Sequence, residues 1–386
     1  MVLKVKKNGL LFKPPRRLSL PSALMGMMAK GRVRNWLKNL LALGIGCLVA
    51  LLIAEVILRV WSPMQNRVHG DRIRLIANMQ RTILPVEDEG HPGHKGLDSI
   101  VYYSTNSLGL RGPEPEADTT LRKIIAVGGS TTECRVLSDG DTWPAKLGDM
   151  LRQKGHPVWV NNAGIDGTST FGHQLLLEDH LLQMQPDIIL FLVGVNDLSQ
   201  TELQSGDRFL QEGHRHTMRR YMQHSEVFNL LITLYRANRA QHYGLHNPTA
   251  ADTAHLSAGE VRYYDSLHAA SQQGYTDRLR ALADTCRSHD IQPVFITQPA
   301  YRESIHRRFR YLDIYNQTLL QFAKAEGLPV VDLATELPDS DVYYYDFIHY
   351  TKPGAEKVGE IVFGEIEKLL SMQTEEKDTL RSPEHQ

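Results

Sequence analysis

The chain has 386 residues, 42% of them hydrophobic and 23% charged, which excludes a wholly disordered or collagen-like protein. Its three cysteines exclude a dense disulfide scaffold, and no CxxC pair marks a structural zinc site. The net charge of -1 hides an asymmetry: residues 1–38 hold ten Lys/Arg and no Asp or Glu, leaving 33 basic against 44 acidic residues in the rest. A body of that sign lacks the basic face that phosphate contacts need, so nucleic acid is not an expected partner.

The basic tail (1–38) runs into an apolar stretch. Leu40 to Ala54 has no charged residue, and Val56 to Leu58 extends it past a single Glu55. Those 19 residues would span about 28 Å as a helix, close to the hydrocarbon core of a bilayer. Trp36 and Trp61 bracket the stretch, as interfacial aromatics do. The reading is a transmembrane signal anchor over 39–61, with the basic tail cytoplasmic and the body extracytoplasmic, periplasmic or at the cell surface. A cleavable signal peptide competes, but no Ala-x-Ala site follows. Cys47 lies inside the apolar run, where a lipoprotein cysteine does not sit. A buried core helix would need a polar face that is absent here.

Residues 62–120 form a polar lead-in with turn signals at His91-Pro92-Gly93 and Gly112-Pro113. From 121 to 372 the pattern alternates. Strands are expected at Lys123–Val127, Val158–Val160, Asp187–Val195, Pro293–Thr297 and Pro329–Leu333. Helices are expected at Thr142–Lys154, Gln174–Gln183, about 260–288, about 311–326 and about 354–371. This order argues for an α/β fold, a parallel sheet covered by helices on both faces. Residues 373–386 read as a polar, frayed tail.

Leu198–Gly259 interrupts the alternation and reads as a lid-like insertion (198–259). It is rich in histidine (His214, His216, His224, His242, His246, His255) and holds an amphipathic piece, Val227–Tyr235. His214 and His216 are two apart and do not share a helix face, so solvated histidines are expected rather than a metal site.

In such sheets the reactive groups gather at the C-terminal ends of the strands. Here those ends read Gly128-Gly129-Ser130-Thr131-Thr132, Asn162-Ala163-Gly164 and Gly194-Val195-Asn196-Asp197. Asp346-Phe347-Ile348-His349 precedes a helix start at Thr351-Lys352-Pro353. A serine is a weak nucleophile until a base takes its proton, and His349 can serve. Asp346 can hold the imidazole tautomer and stabilise imidazolium. The N–H groups of Ser130 and Gly164 and the Asn196 amide are the expected oxyanion donors. Each element alone is common. Their joint order at strand ends is much harder to reach by accident. Cys134 reads as a packed thiol rather than a second nucleophile.

These four blocks resemble the SGNH (GDSL-type) hydrolases, named for Ser, Gly, Asn and His, here Ser130, Gly164, Asn196 and His349. Asp346 falls in the family's DxxH block. The resemblance runs from about Lys123 to about Leu370. It implies a three-layer α/β/α, flavodoxin-like fold and ester or acyl-transfer chemistry with no cofactor and no metal. One departure is that GDSL reads Gly128-Gly129-Ser130-Thr131, without the Asp. Asn106-Ser107-Leu108-Gly109-Leu110-Arg111-Gly112 also resembles a lead-in of membrane-anchored bacterial members.

Other sites fit less well. Gly-x-Ser-x-Gly is absent around Ser130, as are a P-loop and GxGxxG after the first strand. A phosphate cradle at Gly128–Thr132 would leave Asn196, Asp346 and His349 without a role. The expected function is a membrane-anchored serine esterase acting on acyl esters, O-acetyl or lipid, of an envelope glycan or lipid. The alternatives are an O-acyltransferase using the same three side chains, or a non-catalytic glycan-binding protein on the same fold. A histidine base predicts that kcat/KM falls as His349 is protonated, around an ordinary imidazole value of about 6.5.

Overall fold

The computed structural model describes residues 22–61, 68–69, 72–85, 96–116, 118, 120–198, 225–228, 230–231, 234, 258–302 and 311–381. The six histidines of the insertion and the expected turn at 91–93 lie outside them. The chain divides into two units, 1–62 and 63–386.

The described residues of the first unit form one helix, α1 (Ser22–Val60). Within Asn35–Val60 an 18-residue stretch has a mean hydropathy of 2.7 and none of that stretch is buried, so the helix is long and apolar enough to cross a membrane. Glu55, the one acid in the apolar stretch, accepts a hydrogen bond from Arg59 Nε at 2.8 Å one turn later.

The second unit begins with two antiparallel pairs that the sequence pattern did not announce. β1 (Val68–His69) pairs with β2 (Arg72–Ile73), and β3 (Gln80–Ile83) with β4 (Val101–Ser104). Met79, Ile83, Val101 and Tyr103 give the second pair its own small core. Runs of two to four residues are too short for a period to show.

Five parallel strands follow: β5 (Arg122–Gly128), β6 (Val158–Asn162), β7 (Ile188–Leu192), β8 (Gln292–Ile296) and β9 (Val330–Val331), in the order β6-β5-β7-β8-β9. β7 is buried along its whole length, which is why it reads as an unbroken apolar run. The period of two divides its side chains between two cores. Ile124, Ala126, Ile188, Leu190 and Val294 face Trp143, Leu147 and Leu151 of α2 (Trp143–Gln153) and Val358, Val362 and Ile366 of α3 (Lys352–Arg381). Ile125, Val127, Ile189, Phe191 and Phe295 face the other way. There they meet Leu176 of α4 (Thr170–Leu176), Leu279 and Leu282 of α5 (Ala258–Arg287), and Leu319 and Phe322 of α6 (Leu312–Ala325). The fold is the expected three-layer α/β/α sandwich on a parallel sheet.

Two boundaries moved. The helix expected over 174–183 starts earlier, at Thr170, where the Ser169 side chain accepts from Phe171 N. It then widens into a π turn over Leu177–Leu181. α3 runs on to Arg381, beyond the expected end near 371, through residues with good helix propensity. Its start matches the signal, since Gly354 N donates to Thr351 Oγ1 at 3.1 Å.

The chain leaves β5 for β6 on one side and then crosses to β7 on the other. The segments after β5 and β7 therefore diverge at the carboxyl ends of the strands. That opening is where open α/β sheets bind ligands.

Candidate active site

Ser130 opens a single helical turn, Ser130–Glu133, directly after β5. His349 comes from the segment before α3 and brings its Nε2 to 2.8 Å from Ser130 Oγ. Its Nδ1 lies 2.6 Å from Asp346 Oδ2. The other carboxylate oxygen, Oδ1, accepts from the backbone N–H of Ile348 at 2.9 Å and of His349 at 2.8 Å. Burial alone would push the Asp346 carboxyl up, but the imidazole and these N–H donors outweigh it and bring it down to about 2. Tyr345 stacks on the imidazole, with ring centroids 5.5 Å apart and planes within 10°. The three side chains that the sequence singled out, 219 residues apart at the extremes, thus form one continuous relay. An imidazole so held can take a proton from Ser130 Oγ while an anionic carboxylate stabilises the resulting charge.

Asn196 sits in the turn after β7, with its Nδ2 donating to Thr168 O at 2.8 Å. That nitrogen also lies against Gly129, where an added Cβ would come within 2.3 Å of it. The residue before Ser130 is small because the Asn196 amide occupies the space beside it. The missing Asp of the GDSL block thereby acquires a steric reason.

Gly164 is placed differently from the expected donor. Its N–H donates to Asn162 Oδ1 at 2.8 Å. Its Cα packs on the turn that Ser130 opens, so that a Cβ would lie 2.3 Å from Glu133 N. The demand at 164 is close approach of two backbones. The turn that follows, Ile165–Thr168, carries Gly167 at φ +70°, and a Cβ there would meet nothing within 4 Å.

Several supporting residues carried no signal in the sequence. Asp197 is buried beside Asn196; burial raises its carboxyl, with Arg278 and Thr170 opposing. Arg278 Nη2 donates to Asp197 Oδ1 at 3.0 Å, and Arg278 Nε donates to Thr170 Oγ1 at 2.6 Å. The guanidinium also lies 4.2 Å above the Phe171 ring. Thr131, next to Ser130, donates to Gln298 Oε1 at 2.9 Å. Cys134 and Cys286 are both free and buried, and burial pushes each thiol up to about 12. Cys134 is the packed thiol expected from its position.

Residues 126–357, more than half of the chain, match the model of the GDSL-like Lipase/Acylhydrolase family. The chain belongs to this family. Its chemistry is accordingly the hydrolysis of ester bonds. No curated protein matches its sequence. Among solved structures, this GDSL-like acylhydrolase is similar to the acetyl xylan esterase AlAXEase, with 16% identity over 63% of this chain and 98% of that one, at a TM-score of 0.40. TesA is similar at 16% identity, covering 64% of this chain and 99% of its own, at a TM-score of 0.40. A mutant of Axe2, an acetyl-xylooligosaccharide esterase from Geobacillus Stearmophilus, is also 16% identical, covering 64% and 94%, at a TM-score of 0.40.

Proposed function

We propose that this acylhydrolase is a membrane-anchored, extracytoplasmic serine esterase that removes acyl groups, O-acetyl or lipid, from an envelope glycan or lipid. The observation that carries the reading is the unbroken relay Ser130 Oγ, His349 Nε2, His349 Nδ1, Asp346 Oδ2 at the sheet's switch point. The basic tail ahead of an apolar helix supports the topology, with the tail cytoplasmic and the body outside.

In the proposed mechanism His349 Nε2 takes the Ser130 proton as Oγ attacks the ester carbonyl. Asp346 holds the Nδ1–H and stabilises the imidazolium. The oxyanion is held by the Ser130 N–H, the Asn196 amide and the N–H of Gly167, which takes the part expected of Gly164, whose own N–H is engaged by Asn162. His349 then protonates the leaving alcohol, and water, activated by the same imidazole, releases the acyl group.

The test is acetate or fatty-acid release from acylated envelope polysaccharide and from aryl acyl esters by the full chain in detergent, beside Ser130→Ala and His349→Ala. Release that falls on the order of 10⁴-fold in both variants supports the assignment. Release that survives in Ser130→Ala refutes it. Acyl transfer to an added sugar exceeding release to water would replace the esterase with the O-acyltransferase. Tight glycan binding with no turnover would replace both with the binding protein.

A further inference from the structure

We infer that the lead-in before the acylhydrolase domain is part of the active site, with Arg111 and Tyr103 acting as positioning residues for the nucleophile turn. Both lie outside the residues that match the family, 126–357. The inference rests on the reading of Ser130 as the nucleophile.

Arg111 is 3% exposed, at the point where the chain passes from buried Leu110 to the exposed residues 112–116. Its backbone pairs with Asn162 at the end of β6, N–H to carbonyl in both directions at 2.9 Å. Asn106 ties the same segment to the sheet, its Nδ2 donating to Asn161 Oδ1 at 3.0 Å. From there the guanidinium reaches the far end of the turn that Ser130 opens. Nη1 donates to the carbonyls of Glu133 and Cys134, Nη2 to Leu137 O at 2.8 Å and Asp139 Oδ1 at 2.8 Å, and Nε to Asp139 Oδ1 at 3.0 Å. All five N–H donors of the fork are used. The carbonyls at the end of a helical turn have no partner within it. Here a buried cation supplies several at once, which fixes the turn from the end opposite the nucleophile.

Tyr103 acts on the same turn by a second route. Its hydroxyl donates to Glu133 Oε1 at 2.9 Å, and Glu133 Oε2 accepts from Asp166 N at 2.7 Å. Asp166 belongs to the Ile165–Thr168 turn, whose Thr168 O holds the Asn196 amide. The Arg111 guanidinium lies 4.1 Å above the Tyr103 ring, so the two lead-in residues brace each other. One buried carboxylate thus joins the lead-in, the nucleophile turn and the turn beside Asn196. A misplacement of about 1 Å at reacting atoms is enough to cost about 100-fold in rate.

The test uses the full chain in detergent. Arg111→Lys keeps the charge but not the planar fork that spans several acceptors. Glu133→Gln keeps the shape but turns one acceptor into a donor. For each folded variant, kcat and KM on an aryl acetate and the rate of fluorophosphonate labelling are measured beside a melting curve. In each, kcat and the labelling rate are expected to fall about 10- to 100-fold with KM within about threefold. Folded variants whose kcat and labelling rate stay within about threefold of wild type overturn it, because a merely supporting segment would alter stability alone. Tyr103→Phe removes one oxygen and covers the case in which a larger change prevents folding. It is expected to slow labelling about fivefold, and a rate within about twofold of wild type overturns the Glu133 route. Ser130→Ala separates the two levels: labelling that persists in it refutes the nucleophile, whatever the lead-in variants do.

Discussion

Gly129→Ala is the smallest change that tests how the oxyanion side is built. The added Cβ would lie 2.3 Å from Asn196 Nδ2, 3.4 Å from Thr168 O and 3.5 Å from Asn196 Cγ. Ordinary contact between such atoms begins near about 3.5 Å, so the amide must retreat by roughly 1 Å. Even a swing about Thr168 O that keeps the 2.8 Å bond re-aims the amide and carries its nitrogen from its present place. Loss of one oxyanion donor typically costs about 10²–10³ in kcat. We therefore expect kcat on an aryl acetate to fall about 100-fold or more, with KM within about threefold and a stability loss of about 1–3 kcal/mol from overpacking. Asn196→Ala should fall by a similar factor, and the double variant should lose little more, because both act on one donor. Gly129→Asp, which restores the family's GDSL, carries the same Cβ and should lose as much. A folded Gly129→Ala with kcat within about threefold of wild type would refute the reasoning, since the amide would then be idle or free to give way.

Three further outcomes are expected. His173 is fully enclosed behind Thr168, and burial holds its imidazole down to about 4. Between about pH 6.5 and 4 the unfolded chain takes a proton there and the folded one does not, so stability falls by about 3 kcal/mol as pH drops through that window. Urea unfolding of His173→Gln should show a flatter dependence, and an unchanged slope would contradict the assignment. Arg278→Met strands the buried Asp197 carboxylate and should cost about 3 kcal/mol by urea unfolding; a loss under about 1 kcal/mol would show that the pair is not needed. Asp346→Asn keeps the shape of the relay but not its charge, and kcat should fall about 10⁴-fold with the protein still folded; a loss under about tenfold would remove Asp346 from the chemistry.

The central strands were legible because both of their faces are buried. Ile124, Ile125, Ile188 and Ile189 are all fully enclosed, so no alternation was needed to see them. The candidate site was legible as a group because a parallel sheet gathers its strand ends, and the structure brings Ser130 and His349, 219 residues apart, to hydrogen-bond distance. What escaped depends on contacts that no local pattern records. Arg111 reads as one more surface arginine until the carbonyls of residues 133–137 are seen around it. Arg278 sits in an amphipathic helix, where an arginine is expected to face water. In Asn162-Ala163-Gly164-Ile165-Asp166-Gly167 the sequence offers two glycines. Only the close approach of Gly164 to the Thr132–Glu133 backbone separates the packing position from the open one.

The most direct measurement is fluorophosphonate labelling of the full chain in detergent beside Ser130→Ala, with the labelled residue mapped by mass spectrometry. The probe reads an activated serine and needs no knowledge of the natural ester. A single adduct on Ser130 that disappears in the variant is expected. An adduct on another residue, or none on a folded wild-type protein that still releases acyl groups, would contradict the assignment of Ser130 as the nucleophile.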